Sequence, residues 1–136
     1  NPLSMGLPGP GETVVDIGAG SGMDTFLAAK AVGKSGRVIA VDMTDAMLER
    51  GRENVALIGM TQIEYRKGLA ESLPIESASV DLVISNGVIN LSPDKDAVFR
   101  ETFRVVKPRG RLQIADIVVH KDIPPAGRED VAIWTA

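Results

Sequence analysis

The sequence predicts an α/β fold in which a doubly wound parallel β-sheet is covered by helices on both faces. Three observations carry this prediction. Short apolar runs rich in β-branched residues alternate with segments whose apolar residues recur at helical spacing. A glycine-rich loop follows the first apolar run, and an acidic residue ends the second. Because crossovers between parallel strands are right-handed, we expect a Rossmann-like strand order of 3-2-1-4-5.

The composition fits one folded domain spanning residues 1–136. Hydrophobic residues make up 44% of the chain and charged residues 24%, as in soluble globular proteins. The formal net charge of -3 disfavours nucleic acid as a partner. With no cysteine in the chain, disulfides, thiolate metal sites and a cysteine nucleophile are excluded, and we predict no metal site.

The apolar runs are far shorter than the roughly 20 residues that cross a bilayer, so we expect no membrane association and a cytoplasmic location. The chain begins without methionine and ends in what reads as the start of a helix. We therefore expect a domain that is incomplete at its C-terminus.

Five apolar runs are predicted to be strands. They are residues 13–17, 37–41, 63–66, 80–84 and 111–119. In a sheet of this order, ligands bind beyond the carboxyl ends of the strands, where the strand order reverses. The chemistry should therefore lie in the loops that follow the first, second and fourth strands.

Two helices are predicted in the first half of the chain. The first covers residues 24–32 and ends at Gly33, and the second begins after a Thr44 cap and ends at Gly59. Their expected inward residues are Phe26, Leu27, Ala31 and Val32 in the first, and Met47, Leu48, Val55 and Ile58 in the second.

A third helix is predicted to start with Ser92 as the N-cap and Pro93 as the first helical residue. The segment 107–110, which reads K-P-R-G, should end this helix before the last strand. A loop is expected at residues 122–127. The expected inward face of the helix is formed by Val98, Phe99, Phe103 and Val106.

The loop after the first strand combines closely spaced glycines with an acid. Residues 16–22 read D-I-G-A-G-S-G, so the glycines follow a G-x-G-x-G spacing rather than the G-x-G-x-x-G of dinucleotide-binding loops. Asp16 precedes the first glycine by two residues. Since a carboxylate there would repel a diphosphate but could hold an ammonium group, the loop favours a cationic ligand.

Asp42 ends the second strand, where a carboxylate can accept hydrogen bonds from both ribose hydroxyls. This position is used by folds that bind nicotinamide and by folds that bind methyl donors, so it indicates adenosine without separating the two. The neighbouring Met43 could pack on the adenine face.

The acid followed by G-x-G-x-G resembles the first motif of class I methyltransferases, which use S-adenosylmethionine. This resemblance implies that Gly18, Ala19, Gly20 and Gly22 pack against the methionine portion of the cofactor and that Asp16 helps to fix its amino group.

The segment 68–74, G-L-A-E-S-L-P, resembles the family's G-D-A-E-x-L-P, which borders the adenine. That likeness implies that Ala70 and Glu71 border the adenine. Leu69 occupies the position where the family usually has an acid.

Residues 85–95 read S-N-G-V-I-N-L-S-P-D-K, which is similar to arsenite methyltransferases, and the likeness runs over nearly the whole chain. It implies that Asn86 and Gly87 line the reactive end of the cofactor. In that family the residue corresponding to Gly87 is a cysteine that binds trivalent arsenic. Because soft thiolates are what trivalent arsenic requires, arsenite is a doubtful substrate for this chain.

We therefore expect an S-adenosylmethionine-dependent transfer of a methyl group to a small-molecule acceptor, with no catalytic residue identifiable from the sequence. A cofactor-binding module without catalysis and a nicotinamide-dependent oxidoreductase remain as alternatives. Class I methyltransferases usually have two further strands after the fifth. Without them the fifth strand is an open edge, so we expect self-association through that strand or the C-terminal segment unless the natural chain continues past Ala136 and supplies the missing strands.

Overall fold

A computed structural model describes residues 1–118 of the chain. Within that range the strands are β1 (Thr13–Ile17), β2 (Arg37–Asp42), β3 (Ile63–Lys67), β4 (Val80–Asn86) and β5 (Val106–Ala115). The helices are α1 (Met23–Val32), α2 (Asp45–Ile58) and α3 (Lys95–Val105), with short 3₁₀ helices at Pro2–Met5 and Ile89–Leu91. All strands of the described sheet are parallel, and their order is β3-β2-β1-β4-β5, which confirms the predicted fold class and topology.

The central strands are apolar on both faces because both faces of the sheet are covered. One core cluster packs α1 and α2 against the sheet and includes Val14, Leu82 and Leu48. The other cluster, on the side of α3, includes Val15, Val83 and Val105. On each face, valine and leucine side chains are fully buried. Their removal from water is the main contribution to the stability of such a sheet.

The inward face of α1 agrees with the predicted one at Val32 and at Phe26, which packs against the core, but differs at other positions. The structure buries Asp24, Thr25, Ala28, Ala29 and Val32, while Leu27 is exposed. Helix α1 therefore presents small and polar residues to the sheet, and the apolar pattern alone could not identify that face. Its predicted end at Gly33 is confirmed.

Helix α2 lies close to the sheet at a glycine. A Cβ atom on Gly51 would lie 2.3 Å from Cζ of Tyr65, so a larger residue could not be accommodated without movement. Leu48 and Gly51 are the buried residues of this helix, whereas Met47 and Ile58 are exposed, contrary to the prediction. Gly59 ends the helix in the left-handed conformation, as expected.

The start of α3 corrects the predicted cap. Asp94, rather than Ser92, is the N-cap, and its Oδ1 accepts a hydrogen bond from the Ala97 amide at 2.9 Å. Pro93 therefore precedes the helix. The Ser92 hydroxyl donates a hydrogen bond to Glu71.

The inward face of α3 also differs from the predicted one. Val98, Thr102 and Val105 are buried, whereas Phe99 is exposed and Phe103 is 86% exposed. Thr102 can be buried because its hydroxyl donates to the Val98 carbonyl within the same helix, at 2.9 Å. Val106, predicted to lie on this face, belongs to β5.

Segment 107–110 lies within β5 instead of ending the preceding helix. The register jumps from Val80 opposite Val106 to Leu82 opposite Arg111, so this segment forms an irregular bulge in the strand. Strand β5 then ends at Ala115, and residues 116–118 are not part of it. The predicted end at residue 119, the loop 122–127 and the C-terminal segment lie outside the described residues, as does any strand beyond the fifth.

Among residues 1–118, no helix is long and apolar enough to cross a membrane.

Candidate functional site

The glycine loop between β1 and α1 folds over the end of β2. Gly18, Gly20 and Gly22 all have positive φ angles, of 69°, 55° and 108°. The amides of Gly18 and Ala19 both donate to the Val41 carbonyl, at 2.8 and 3.1 Å. The loop therefore lies at the carboxyl edge of the sheet, where the sequence predicted it.

Two of these glycines are required by close packing and one borders open space. A Cβ atom on Gly18 would lie 2.2 Å from Cγ2 of Val88, and one on Gly22 would lie 2.3 Å from Oη of Tyr65. At Gly20, by contrast, no described atom lies within 4 Å of such a Cβ. The open side of the loop is thus at Gly20, where a ligand could approach the backbone.

Asp42 connects the glycine loop to the start of α2. Its Oδ2 accepts a hydrogen bond from the Gly20 amide, and its Oδ1 accepts one from the Thr44 amide, each at 2.9 Å. The carboxylate is held in one orientation while remaining partly exposed. Met43, next to it, is 66% exposed at the rim of the site.

Asp16 is an acid without access to water. It is 2% exposed, and its Oδ2 accepts a hydrogen bond from the Thr25 hydroxyl at 2.6 Å. Burial raises the pKa of the Asp16 carboxyl to about 7, with smaller upward contributions from the charges of Asp24 and Asp42, while the Thr25 bond opposes the shift. A negative charge at Asp16 is therefore costly unless a cation comes close.

Asp24 is a further buried acid of the site. The sequence indicated it only as the first residue of a predicted helix. It is 7% exposed, and its Oδ2 accepts a hydrogen bond from Nδ2 of Asn86 at 2.8 Å. Its Oδ1 is buried and has no hydrogen-bond partner among the described residues. A carboxylate in the first turn of the helix after the glycine loop was the signal available in the sequence.

The turn at residues 69–72, here called the post-β3 turn, contains Ala70 and Glu71. It is anchored next to Asp42, whose carbonyl accepts a hydrogen bond from the Gly68 amide at 3.1 Å. Ala70 packs against the core cluster on the α3 side of the sheet, and Leu69 is exposed. Glu71 is partly buried and accepts the hydrogen bond from the Ser92 hydroxyl.

Asn86 and Gly87 lie at the carboxyl end of β4, beside the glycine loop. The Gly87 amide donates to the Ala115 carbonyl at 2.8 Å, and Gly87 has a φ of 67°. No described atom lies within 4 Å of the place a Cβ on Gly87 would occupy. The position thus has room for a side chain in space, although the backbone conformation favours glycine.

Three carboxylates therefore converge around one glycine loop: Asp16, Asp24 and Asp42. This arrangement suits a ligand that carries a positive charge and hydroxyl donors, and it disfavours a diphosphate. Residues 1–118 contain no group of three histidine, cysteine or acidic side chains arranged to hold a metal ion.

The sequence is similar to known methyltransferases. Residues 8–135 match the model of a methyltransferase domain family. The chain is 48% identical over 124 residues to an arsenite methyltransferase from Halobacterium salinarum, covering 91% of this chain and 32% of that protein. It spans about a third of the length of the arsenite methyltransferases it matches.

Solved structures give the same result. An arsenic(III) S-adenosylmethionine methyltransferase from Chlamydomonas reinhardtii superimposes with a TM-score of 0.84 at 38% identity, over 95% of this chain and 47% of that one. A SAM-dependent methyltransferase from Aquifex aeolicus superimposes with a TM-score of 0.79 at 28% identity, over 93% of this chain and 71% of that one. Sequence and fold together place the chain in the methyltransferase domain family, within the class that depends on S-adenosylmethionine.

Proposed function

We propose that the chain binds S-adenosylmethionine at the glycine loop and supports transfer of its methyl group to a small-molecule acceptor. The observation that carries the proposal is the pair of buried carboxylates, Asp16 and Asp24, which flank the glycine loop at its two ends. A cation there would relieve the buried charge of Asp16 and give the unpaired Oδ1 of Asp24 a donor.

Each part of the cofactor has residues that could hold it. Asp16 and Asp24 would take the ammonium group, and the fixed, partly exposed carboxylate of Asp42 would accept the ribose hydroxyls. The backbone of the loop would face the methionine portion through Gly18, Ala19, Gly20 and Gly22. Met43, Ala70 and Glu71 would border the adenine, and Asn86 and Gly87 the reactive end.

S-adenosylmethionine supplies a methyl group that is already activated by the sulfonium charge. The chain's residues then have to orient donor and acceptor and exclude water, and a strong acid or base is not required for that task. This agrees with a site built from backbone amides and carboxylates that bind, rather than from a paired acid and base.

For the acceptor, we propose a small molecule other than arsenite. The chain has no cysteine, and the space beside Gly87 holds no thiolate. A cytoplasmic location and a single domain over residues 1–136 remain predictions.

We also propose that the chain self-associates at the β5 side of the sheet. Within residues 1–118, β5 pairs with β4 alone, so its other edge carries unpaired backbone groups. Beside it, α3 and β5 border a groove of about 750 Å³ whose lining includes Phe99, Phe103 and Leu112. The three apolar side chains are exposed in the described part of the chain, which favours contact with another apolar surface.

Replacing Asp42 with alanine should weaken binding of S-adenosylhomocysteine about tenfold or more, because a hydrogen bond to a charged group contributes about 1.5 to 3 kcal/mol. Isothermal titration calorimetry measures the change. Asp45→Ala is the matched control, since the Asp45 carboxylate is exposed and pairs with Lys67 rather than with the glycine loop. Equal affinity in the Asp42 variant and the control would place the ribose elsewhere.

Binding of S-adenosylhomocysteine should strengthen with pH through the titration of Asp16. Its carboxyl is mostly protonated at pH 5.5 and mostly ionised at pH 7.5, because its pKa lies at about 7. Since the ammonium group prefers the ionised form, affinity should rise on the order of tenfold over that interval. Calorimetry on Asp16→Asn should show weaker and nearly pH-independent binding, with Asp45→Asn behaving like the unmodified chain. A pH profile that Asp16→Asn leaves intact would rule out this role for Asp16.

The purified 136-residue chain should form no methylated arsenic from arsenite and S-adenosylmethionine in the presence of a thiol reductant. Chromatographic separation of arsenic species provides the measurement. Gly87→Cys should introduce arsenite binding at the site, whereas Gly59→Cys should not, because that thiol lies at the far end of α2 in similarly open space. Brisk methylarsenic formation by the unmodified chain would contradict the prediction.

Light scattering over a tenfold dilution series should show concentration-dependent association of the chain. Phe103→Lys should shift the equilibrium toward monomer, because it replaces apolar surface with a cation in a groove that already contains Arg104 and Lys107. Leu57→Lys, at a similarly exposed position on α2, serves as the control and should leave the association unchanged. A monodisperse monomer at every concentration would show that this edge is not an interface.

A further inference from the structure

Three loops meet at the carboxyl edge of the sheet. Under the proposed function, one of them borders the methyl acceptor. The glycine loop and the post-β3 turn border the proposed cofactor. The third, residues 87–92, follows β4 and is here called the post-β4 loop. Its Val88 lies directly over Gly18, and Val88 and Ala70 pack against the same core cluster. The acceptor-side loop is therefore in contact with both loops on the cofactor side.

A hydrogen bond joins the post-β4 loop to the post-β3 turn. The Ser92 hydroxyl donates to Oε1 of Glu71, and Ser92 is only 9% exposed. The same hydroxyl oxygen accepts a hydrogen bond from the Asp94 amide at 3.2 Å, where α3 begins. Because the acceptor is a carboxylate and the donor is buried, this bond is of the stronger, charge-assisted kind.

The other polar contacts that hold the post-β4 loop come from outside the proposed cofactor site. Nζ of Lys95 donates to the carbonyls of Asn90 and Ser92, at 3.2 and 3.0 Å. Oδ2 of Asp116 accepts a hydrogen bond from the Asn90 amide at 3.0 Å. Of these side-chain contacts to the post-β4 loop, only the contact with Glu71 involves a residue next to the proposed adenine position.

We propose that Glu71 and Ser92 are positioning residues that transmit occupancy of the cofactor site to the post-β4 loop, and so help to order the wall of the acceptor site. The inference rests on the proposed function. A ligand that orders the post-β3 turn also holds Glu71 in place, which lowers the entropy lost when the post-β4 loop becomes ordered. Neither side chain needs to touch the acceptor for this effect.

Hydrogen exchange measured by mass spectrometry, with and without saturating S-adenosylhomocysteine, tests the coupling. The amides of Leu91 and Ser92 report on the post-β4 loop, since they donate to the carbonyls of Val88 and Ile89. In the unmodified chain, the ligand should slow exchange several-fold both in residues 68–73 and in residues 87–92. In Ser92→Ala, and in Glu71→Ala at a ligand concentration raised until the calorimetric signal saturates, residues 68–73 should remain protected. The ligand-dependent protection of residues 87–92 should be lost in both variants.

Two variants serve as matched controls. Glu71→Gln keeps a carbonyl oxygen that can accept from Ser92 and should restore the coupling. Ser72→Ala removes a hydroxyl from an exposed position in the same turn and should leave the coupling intact. If Ser92→Ala fails to fold because Asp94 loses its partner, Glu71→Ala decides the question.

The outcomes distinguish failure of the proposed function from failure of the coupling. Absence of binding heat and of protection in residues 68–73 would overturn the proposed function. Binding with undiminished protection of residues 87–92 in Glu71→Ala would overturn the coupling alone. Equal loss in Glu71→Ala and Glu71→Gln would show that the hydrogen bond to Ser92 is not the link.

Discussion

The site depends on how closely the glycine loop can lie on the end of the sheet. Gly18 and Ala19 donate to the carbonyl of Val41, and a single methyl group at Gly18 or Gly22 would overlap with Val88 or Tyr65. This close approach places the amide of Gly20 within reach of Asp42. It also brings the start of α1 next to the end of β4, where Asp24 meets Asn86. The backbone geometry of the loop thus determines which side chains meet at the site.

Electrostatics explains why this geometry suits a cationic ligand. Asp16 and Asp24 are both buried, and burial raises the pKa of Asp16 because ionisation there lacks solvation. Charged groups in such surroundings destabilise a fold unless they are paired. Thr25 and Asn86 each provide one hydrogen bond, but Oδ1 of Asp24 has no described partner. Functional sites commonly keep such unsatisfied groups, because the ligand completes them.

The parts of the fold that the sequence predicted are those with a local physical signal. Val14, Val15 and their counterparts in β2 and β4 form continuous apolar runs because both faces of a parallel sheet are covered, and Gly59 ends its helix because glycine tolerates a positive φ. The features that were missed depend on hydrogen bonds of polar side chains, which the apolar pattern of the sequence does not show. Thr102 can be buried because its hydroxyl donates within α3. Asp94 is the helix cap because its Oδ1 accepts from the Ala97 amide, while the Ser92 hydroxyl donates to Glu71, which is distant in sequence.

The same distinction applies to the site. The glycine spacing and the acids at positions 16 and 42 could be recognised in the sequence, and the structure brings them together at one edge. Asp24 was missed because its partner Asn86 lies on β4, far away in the sequence. Under the proposed function, the glycine loop, the end of β2 and the post-β3 turn form the cofactor side, whereas the post-β4 loop borders the acceptor. Since the post-β4 loop meets the cofactor side mainly through Val88 and Ser92, its other positions can change without disturbing the glycine loop. Under the proposed function, acceptor specificity can therefore diverge in residues 89–91 while the glycine loop and its carboxylates stay the same.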